Sequence, residues 1–328
     1  MADNKRHSLL SALSEPRRKN RGALNGLIVT MGDPAGIGPY LVVDSLSKLS
    51  IEGQRVLVIG CKKVLSKVKG FKKILSKADL YDMDNCRGIK RGYPDKNSGR
   101  ASREYLEEAV RILRRKNNYS LVTAPVSKEA VKKVDKNFIG HTEFLAEKFG
   151  VKKFGMMMTG RKLKIVFITR HIPIRDVSKF SGYGEIKKVL ELTAVSLKNL
   201  FKIKRPKIAL CSLNPHAGID TYLEKEEKIL IRAKNSIKQD VDFIGPYPSD
   251  TLFKEALQGG FSAVIAFYHD QGMIPFKSLE FSQGVNLTLG LPFIRTSPAH
   301  GPAFNLAFRP DKIDYRSMRE SVKLALEL

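Results

Sequence analysis

The stretch Ala263–Lys277, AVIAFYHDQGMIPFK, predicts how the rest of the chain is arranged. Its first half is apolar and rich in β-branched and aromatic residues, which is typical of a buried strand, and it ends at His269 and Asp270. Gln271 and Gly272 then favour a turn. Because ligands of open α/β sheets bind just beyond the carboxyl ends of strands, we expect a functional site here. The alternative is a histidine that only caps a strand or turn.

The same pattern recurs after two other apolar runs. Residues 164–170 run into His171, and residues 207–213 run into His216. Neutral imidazole is a common ligand of divalent metals, and three protein ligands with an open position describe a catalytic metal site. The spacings between the three histidines match no local metal motif, so their placement after strands carries the prediction. We therefore expect His171, His216 and His269 to converge on one metal ion.

Length and composition indicate a globular protein. The chain has 328 residues, 42% hydrophobic and 28% charged, which is enough for two domains and excludes global disorder. No stretch approaches 18 consecutive apolar residues, so no transmembrane helix is expected. The three cysteines, Cys61, Cys86 and Cys211, are odd in number and far apart. They argue against a disulfide framework and predict a reducing, cytoplasmic location.

The formal charge of +25, from 58 basic and 33 acidic residues, admits two interpretations. A basic protein can bind nucleic acid, or it can attract anionic substrates. Here the lysines and arginines form doublets dispersed over many segments. A dispersed excess is typical of a solvated surface and argues against a nucleic-acid interface.

The first 26 residues carry six basic and two acidic side chains and no sustained apolar run. We expect a disordered basic extension. A transit peptide is the alternative, and Asp3 and Glu15 argue against it.

The folded part begins with a predicted strand at 27–31, the loop Gly32–Pro39 and a helix at 40–49. Glycines between a strand and a helix let the backbone approach an anion at the start of the helix. The G-x-x-x-G-x-G pattern is neither the dinucleotide fingerprint nor a Walker A loop, so it is a weak indication.

Strands and helices then alternate, which predicts an α/β protein with largely parallel strands. Further strands are expected at 55–60, 121–124, 155–159, 163–169, 207–213 and 263–268, and further helices at 102–117, 140–149, 185–200 and 224–237. Residues 61–98 are lysine-rich and poorly patterned. Thr142 is placed to cap the helix at 140–149. The apolar stretch 284–297 embeds Asn286 and Arg295, which need partners if they are buried.

Seven stretches keep, in order, the motifs of one enzyme family. They are TMGDPAGIGP (30–39), TAPVSKEA (123–130), GHTEFLAE (140–147), LNPHAG (213–218), GPYPSDTLF (245–253), YHDQGMIPFK (268–277) and GVNLTLGLPFIRTS (284–297). Together they resemble the 4-hydroxythreonine-4-phosphate dehydrogenase family of pyridoxal phosphate biosynthesis. The resemblance covers almost everything from residue 27 to the C-terminus, and seven ordered motifs are far more specific than any one of them.

The resemblance implies a fold related to isocitrate and isopropylmalate dehydrogenases, with two α/β domains around a cleft. We expect residues 27–125 with 282–328 to form the first domain. Residues 126–281 would form the second, which carries the metal and dimer contacts. The family also implies a homodimer whose active site uses both subunits.

Matched motif by motif, the resemblance gives each group of candidate residues a role. His171, His216 and His269 would bind the divalent metal, in agreement with the strand-end argument. The substrate would be bound by residues from several motifs: His141, Thr142, Lys277, Asn286 and Arg295. The general base is left open between Lys277, Asp250 and Asp270.

The implied reaction is the oxidation of 4-(phosphooxy)-L-threonine by NAD or NADP, with one divalent ion of zinc, magnesium or cobalt. A Lewis-acidic metal at the alcohol oxygen favours the alkoxide from which hydride leaves. The product is a 3-oxo acid that decarboxylates to 3-amino-2-oxopropyl phosphate. Arg295 would suit a carboxylate or phosphate through its planar fork, and Lys277 would make a point-charge contact.

The chain departs from the family pattern in three places. Tyr40 stands where an acidic residue is usual, and residues 219–223 lack the usual glutamate and glycines. In related dehydrogenases the loop around His300 and Gly301 holds the adenosine half of the cofactor. Here residues 298–308 keep that pair but lose an aspartate, a threonine and a final glycine, which predicts weak cofactor binding.

Two alternatives remain open from the sequence. A paralogous dehydrogenase of a sugar-acid phosphate, such as D-threonate or D-erythronate 4-phosphate, shares nearly all these motifs. A non-catalytic anion-binding or nucleic-acid-binding protein that reuses the fold would instead cluster its lysines on one face.

Overall fold

The computed structural model describes residues 26–51, 53–116, 118–218, 224–238, 240–280 and 282–328. The predicted basic extension and the altered segment 219–223 lie outside these ranges, except that Gly26 begins the first strand. The chain divides into two compact units. Unit 1 contains the described residues up to Phe144 together with His300–Glu327, and unit 2 contains Leu145–Ala299.

These boundaries differ from the predicted breaks at 125/126 and 281/282. The helix Lys128–Lys132 stays with unit 1 because it packs against the helix Lys96–Arg115. The strand Val285–Leu289 stays with unit 2 because it pairs with Gly155–Thr159.

Unit 1 is built on four parallel strands in the order β3-β2-β1-β4. The strands are β1 (Gly26–Thr30), β2 (Val56–Gly60), β3 (Asp79–Asp82) and β4 (Tyr119–Thr123). The helices are α1 (Gly38–Lys48), α2 (Lys62–Leu65), α3 (Phe71–Ile74), α4 (Lys96–Arg115), α5 (Lys128–Lys132), α6 (His141–Lys148), which continues into unit 2, and the C-terminal α12 (Arg316–Glu327). Strands β1, β2 and β4 are buried along their whole length, so the core lies on both faces of this sheet.

The sequence misses several elements of unit 1. Residues 61–98 form α2, α3 and β3, four residues each, which are too short and too polar to show an apolar period. Helix α4 starts at Lys96 instead of residue 102. Its start is fixed by a capping box, in which the Ser98 N–H donates to Asp95 Oδ1 at 2.8 Å and the Asp95 N–H to Ser98 Oγ at 3.1 Å.

The predicted cap at Thr142 is wrong. Helix α6 begins at His141, and the Phe144 N–H donates to the Gly140 carbonyl at 3.0 Å. Gly140 therefore precedes the helix, and Thr142 lies in its first turn.

Unit 2 contains seven strands in the order β11-β10-β5-β6-β9-β7-β8. They are β5 (Gly155–Thr159), β6 (Lys164–Phe167), β7 (Lys207–Cys211), β8 (Asp242–Tyr247), β9 (Ala263–Ala266), β10 (Val285–Leu289) and β11 (Arg295–Pro298). Strands β6, β9, β7 and β8 are parallel, whereas β11, β10, β5 and β6 pair antiparallel. The expectation of largely parallel strands is therefore wrong for this side of unit 2. The connections 160–163 and 290–294 are too short for a crossover and can only make hairpins.

The helices of unit 2 are α7 (Val177–Phe180), α8 (Tyr183–Asn199), α9 (Lys225–Asn235), α10 (Ser249–Leu257) and α11 (His269–Glu280). A hydrophobic core lies where α10 and α11 pack on strands β5, β6, β7 and β9. In the described part of the chain, no helix is long and apolar enough to cross a membrane.

Helix α11 replaces the turn that the sequence predicts at Gln271 and Gly272. A Cβ on Gly272 would lie 2.6 Å from Phe167 Cε1 and 2.8 Å from Ile165 Cγ2. The glycine thus lets the helix lie directly against β6. Tertiary packing, and not local propensity, makes this segment helical, and it places His269 at the first residue of the helix.

Candidate active site

The structure places the three candidate metal ligands after neighbouring strands of unit 2. His171 follows β6, His216 follows β7 and His269 follows β9, and β9 lies between the other two in the parallel part of the sheet. The His171 and His269 rings are adjacent, with centroids 5.8 Å apart. The carboxyl edge of this sheet therefore carries a pair of neighbouring imidazoles.

The His269 ring is held from two sides. Phe167 stacks on it at a centroid distance of 6.1 Å and an interplanar angle of 25°, and its Nδ1 contacts Asp270 Oδ1 at 2.6 Å. A carboxylate on Nδ1 fixes the ring orientation. Nε2 is therefore the His269 atom left to bind a ligand.

His216 lies in a strained loop beyond β7. It has φ 53° and ψ 25°, and Ala217 follows with φ 58°, a left-handed conformation that is costly for residues other than glycine. The buried Glu227 on α9 stabilises this loop, because its carboxylate accepts from the N–H groups of Leu213 at 3.0 Å and Asn214 at 2.9 Å. The sequence pattern did not identify Glu227 as a residue that positions His216.

A cavity of about 590 Å3 opens beside His216 in unit 2. Two acidic candidates line it, Asp250 at the start of α10 and Asp270 at the start of α11, together with the exposed Ile274. The cavity is thus the place where the structure brings a candidate metal ligand and two candidate bases together.

Gln271 connects the strand ends around this cavity. Its Oε1 accepts from the Phe267 N–H at 2.7 Å, and its Nε2 donates to the Ser212 carbonyl at 2.7 Å and to Ser249 Oγ at 2.8 Å. One amide therefore ties together the ends of β9 and β7 and the start of α10. The sequence indicates only a turn at Gln271, because its hydrogen-bond partners are distant in the chain.

The donor types suit a divalent metal, since imidazole nitrogen and carboxylate oxygen are ligands that zinc and similar ions accept. Within the described ranges, however, no three His, Cys, Asp or Glu side chains lie close enough to hold an ion. His171 and His269 are neighbours, while His216 faces the cavity of Asp250 and Asp270. Convergence of all three histidines on one metal stays a prediction.

Asn286 and Arg295 lie on one face of the β10–β11 hairpin. Thr288 pairs with Arg295 across the strands, and Asn286 pairs with Ser297, so these side chains share a face. The guanidinium donates from Nη1 to Thr288 Oγ1 at 3.1 Å, and Arg295 is 2% exposed. Asn286 Oδ1 is buried and accepts no hydrogen bond from the described residues. The pair therefore offers a buried cation and an open acceptor.

The other three candidate substrate ligands are distributed over both units. Lys277 lies on the exposed side of α11 in unit 2. His141 and Thr142 open α6 in unit 1, where the helix dipole favours an anion. The Lys128 side chain ends at the same helix start. A Cβ placed on Gly140, the residue before the helix, would lie 3.4 Å from Lys128 Nζ. The ammonium of Lys128 adds positive charge beside His141 and Thr142.

The glycine loop of unit 1 packs against protein and does not form an anion cradle. A Cβ on Gly32 would lie 2.5 Å from the Pro125 carbonyl oxygen, and one on Gly36 would lie 2.6 Å from that of Pro302. The Ile37 N–H at the start of α1 donates to the same Pro302 carbonyl at 2.9 Å. The suggestion that these glycines receive an anion is therefore corrected.

His300 and Gly301, the predicted cofactor residues, directly precede Pro302, and His300 Nδ1 lies 3.1 Å from the Gly301 carbonyl.

Asp33, inside this loop, is fully buried. Its Oδ1 accepts from the Ala35 N–H at 2.9 Å. Desolvation raises the pKa of Asp33 from 3.8 to about 6, although hydrogen bonds from neighbouring groups oppose the shift. The sequence analysis did not single out Asp33, because an aspartate between glycine and proline is typical of an exposed turn.

Comparison with known proteins finds relatives over most of the chain. The family model described as pyridoxal phosphate biosynthetic protein PdxA matches residues 41–325. The chain is 35% identical to a 4-hydroxythreonine-4-phosphate dehydrogenase of Desulforapulum autotrophicum, over 90% of this chain and 93% of the relative. It is 34% identical to a D-threonate 4-phosphate dehydrogenase of Salmonella typhimurium, over 92% and 98%. The crystal structure of a 4-hydroxythreonine-4-phosphate dehydrogenase from Klebsiella pneumoniae superposes with a TM-score of 0.80 at 32% identity, covering 94% of this chain and 99% of that one.

Proposed function

Because the chain belongs to the family of the pyridoxal phosphate biosynthetic protein PdxA, a family of dehydrogenases, we propose that it oxidises 4-(phosphooxy)-L-threonine. The alcohol would become a 3-oxo acid that decarboxylates to 3-amino-2-oxopropyl phosphate, a step of pyridoxal 5'-phosphate biosynthesis. The observation that carries the proposal is the adjacent pair His171 and His269 at the ends of β6 and β9.

Membership of a dehydrogenase family implies a nicotinamide cofactor and a divalent metal. We infer that His171, His216 and His269 hold the ion, which can be zinc, magnesium or cobalt, and that NAD or NADP takes the hydride. When bound, the ion supplies Lewis acidity at the alcohol oxygen. Because Asp270 contacts His269 Nδ1, Nε2 is the nitrogen of His269 that would bind the ion.

The hairpin residues support the proposal that an anionic substrate binds here. The buried guanidinium of Arg295 can bind a carboxylate or phosphate in a water-poor environment, where a charge-assisted hydrogen bond is strong. Asn286 Oδ1 can accept from the amino or hydroxyl group at C2 of the substrate. Lys277, His141 and Thr142 complete the proposed substrate contacts.

The structure bears on the choice of general base. Asp270 already contacts His269 Nδ1, so it serves best as a positioning residue. Asp250 lines the cavity beside His216, and Lys277 lies two turns beyond His269 on α11. We propose that Asp250 or Lys277 accepts the alcohol proton.

We also propose a cytoplasmic homodimer. The exposed face of α11 carries Asp270, Ile274 and Lys277, and Ile274 is 67% exposed while lining the cavity. A second copy that covers this face would bury the isoleucine and enclose the site. The three cysteines are free and buried, as expected for a protein of a reducing compartment.

A second candidate substrate is D-threonate 4-phosphate, because relatives of 33% and 34% identity carry that name. The test is reduction of NAD and NADP by the purified protein with each phosphate, after chelation and after adding back zinc, magnesium or cobalt. We expect metal-dependent turnover of 4-(phosphooxy)-L-threonine, and its loss in His269→Ala. Turnover of D-threonate 4-phosphate alone would select the second candidate, and turnover of neither would overturn both.

A further inference from the structure

Arg91 lies at the centre of a small exposed cluster in unit 1. Its Nη1 donates to the Tyr40 hydroxyl at 2.7 Å, and its guanidinium lies 4.9 Å from the centroid of the Phe308 ring. Tyr93 meets the same ring edge-on, with centroids 6.3 Å apart. Tyr40, Arg91, Tyr93 and Phe308 are called the Arg91 cluster below.

The positive charge of Arg91 is not matched by a carboxylate. Other arginines of unit 1, such as Arg103 and Arg319, form ion pairs, but Arg91 forms none with the residues that the structure describes. A guanidinium has five N–H donors, and Tyr40 uses one of them. The ring of Phe308 and the hydroxyl of Tyr40 therefore hold a planar cation in place with most of its donors open, which is the geometry that binds phosphate through two parallel bonds.

The cluster is fixed to the carboxyl end of the unit 1 sheet. The Gly92 N–H donates to the Ala35 carbonyl at 2.7 Å, in the loop that follows β1. Gly92 has φ +82°, and a Cβ there would lie 2.2 Å from Phe308 Cε2, so only glycine permits this contact. Ligands of open parallel sheets bind at this edge.

The start of α1, the usual anion site at such an edge, is already covered. The Pro302 carbonyl accepts the Ile37 N–H there at 2.9 Å. An anion bound at this edge would therefore meet Arg91 before it meets the helix terminus.

The cluster also offers aromatic surface to a ligand. Tyr93 is 67% exposed and Phe308 is 51% exposed. An arginine beside exposed aromatic rings suits a nucleotide, because the base can stack while the guanidinium takes the phosphate. The arrangement therefore fits a nucleotide that carries a phosphate close to its base.

We propose that Arg91 binds the 2'-phosphate of NADP, with Tyr93 and Phe308 beside the adenine, so that the enzyme prefers NADP to NAD. In dinucleotide sites an acidic side chain receives the 2'-hydroxyl of NAD, whereas an arginine accommodates the 2'-phosphate of NADP. The Tyr40 hydroxyl holds the arginine without neutralising it. This inference rests on the proposed function, since it assigns the cofactor of that reaction.

The test is a binding titration that needs no substrate, by calorimetry with 2',5'-ADP and with 5'-AMP, which lacks the 2'-phosphate. The wild-type protein is expected to bind 2',5'-ADP at least about ten-fold more tightly. Arg91→Leu should lower the affinity for 2',5'-ADP by about 10- to 100-fold, as expected for loss of a hydrogen bond to a charged group. Its affinity for 5'-AMP should change less than about two-fold. Arg87→Leu removes the same charge from an exposed site in the same segment and should change neither.

Tyr40→Glu provides a second variant, because it places a carboxylate beside Arg91. It should lower the affinity for 2',5'-ADP as Arg91→Leu does and leave the affinity for 5'-AMP unchanged. Equal affinity of the wild-type protein for the two ligands, or equal loss of both in Arg91→Leu, would overturn the inference. If discrimination is found while neither phosphorylated acid is oxidised, the proposed function fails and the nucleotide site stands.

Discussion

Among the residues that the structure describes, Arg295 is the largest side chain that is almost wholly buried, at 2% exposure. A buried guanidinium is costly unless its donors are hydrogen-bonded. Thr288 Oγ1 on the paired strand accepts one of these bonds at 3.1 Å. The proposed role in substrate binding would give this buried charge a function.

Arg295→Lys should raise the KM for the phosphorylated substrate by about ten-fold or more, since a point charge cannot reproduce two parallel hydrogen bonds. Steady-state kinetics at saturating cofactor would measure it. Arg161→Lys, an exposed position of unit 2, is the control and should leave KM unchanged. An unaltered KM and kcat in Arg295→Lys would remove this residue from the substrate site.

Asp33 makes the stability of unit 1 depend on pH. Burial raises its pKa from 3.8 to about 6, so the folded protein keeps a proton that the unfolded chain releases between these values. The stability due to this proton is fully present below pH 3.8 and is lost as the pH rises to about 6. The shift corresponds to about 3 kcal/mol.

Asp33→Asn should therefore increase the free energy of unfolding at pH 7 by up to about 3 kcal/mol and change it little at pH 4. The amide oxygen can still accept from the Ala35 N–H. Urea unfolding at the two pH values measures the difference, and the exposed Asp311→Asn serves as control. An equal effect of Asp33→Asn at both pH values would show that its carboxyl does not titrate in this range.

Single residues also show what the sequence could and could not predict of the site. The positions of His171, His216 and His269 after strands follow from apolar runs, which the sequence displays directly. The roles of Gln271 and Glu227 do not, because each depends on hydrogen bonds to segments that only the fold brings near. Contacts of this kind leave no periodic pattern in a sequence.

At the scale of elements, strands were easier to predict than the starts of helices. Buried strands such as β5 and β7 form apolar runs, whereas the first turn of α4 is polar and the edge strand β3 is largely exposed. Helix α11 contains glycine and proline, both of which disfavour helices, so local propensity pointed to a turn. Its packing on β6 outweighs that propensity.

Gly272→Ala should destabilise the protein although alanine is the better helix former. Overpacking costs about 1–3 kcal/mol, and contacts of 2.6 Å to Phe167 and 2.8 Å to Ile165 place this site in the upper part of that range. That cost exceeds the gain of about 1 kcal/mol in helix propensity. The same displacement should lower kcat/KM, because α11 carries His269. Thermal unfolding and steady-state kinetics measure the two effects.

Gly184→Ala is the matched control within α8. A Cβ on Gly184 meets no atom within 4 Å, so only the propensity gain remains and the variant should be slightly stabilised. If Gly272→Ala were as stable as Gly184→Ala, close packing of α11 on β6 would not be what requires the glycine.

At the scale of the whole molecule, the sequence predicts an α/β protein, and the comparisons confirm the fold and the family. The antiparallel side of unit 2 follows in part from the sequence, because the predicted strands 155–159 and 163–169 leave a connection too short for a crossover. The pairing of β5 with β10 does not, because these strands are far apart in the chain. The net charge of +25 suits an enzyme of anionic substrates, which a positive surface attracts. That attraction would come from charges over the whole surface, whereas few of the proposed substrate contacts are charged side chains.

Ile274 on α11 is 67% exposed and borders the cavity beside His216, which a second copy of the chain would cover. We expect sedimentation of the wild-type protein as a dimer. Ile274→Glu should shift it toward monomer and lower activity together, and a higher protein concentration should restore both by mass action. Val195→Glu, at a position 42% exposed on α8, should change neither. A wild-type monomer with full turnover, or a fully active monomeric variant, would show that one chain contains the complete site.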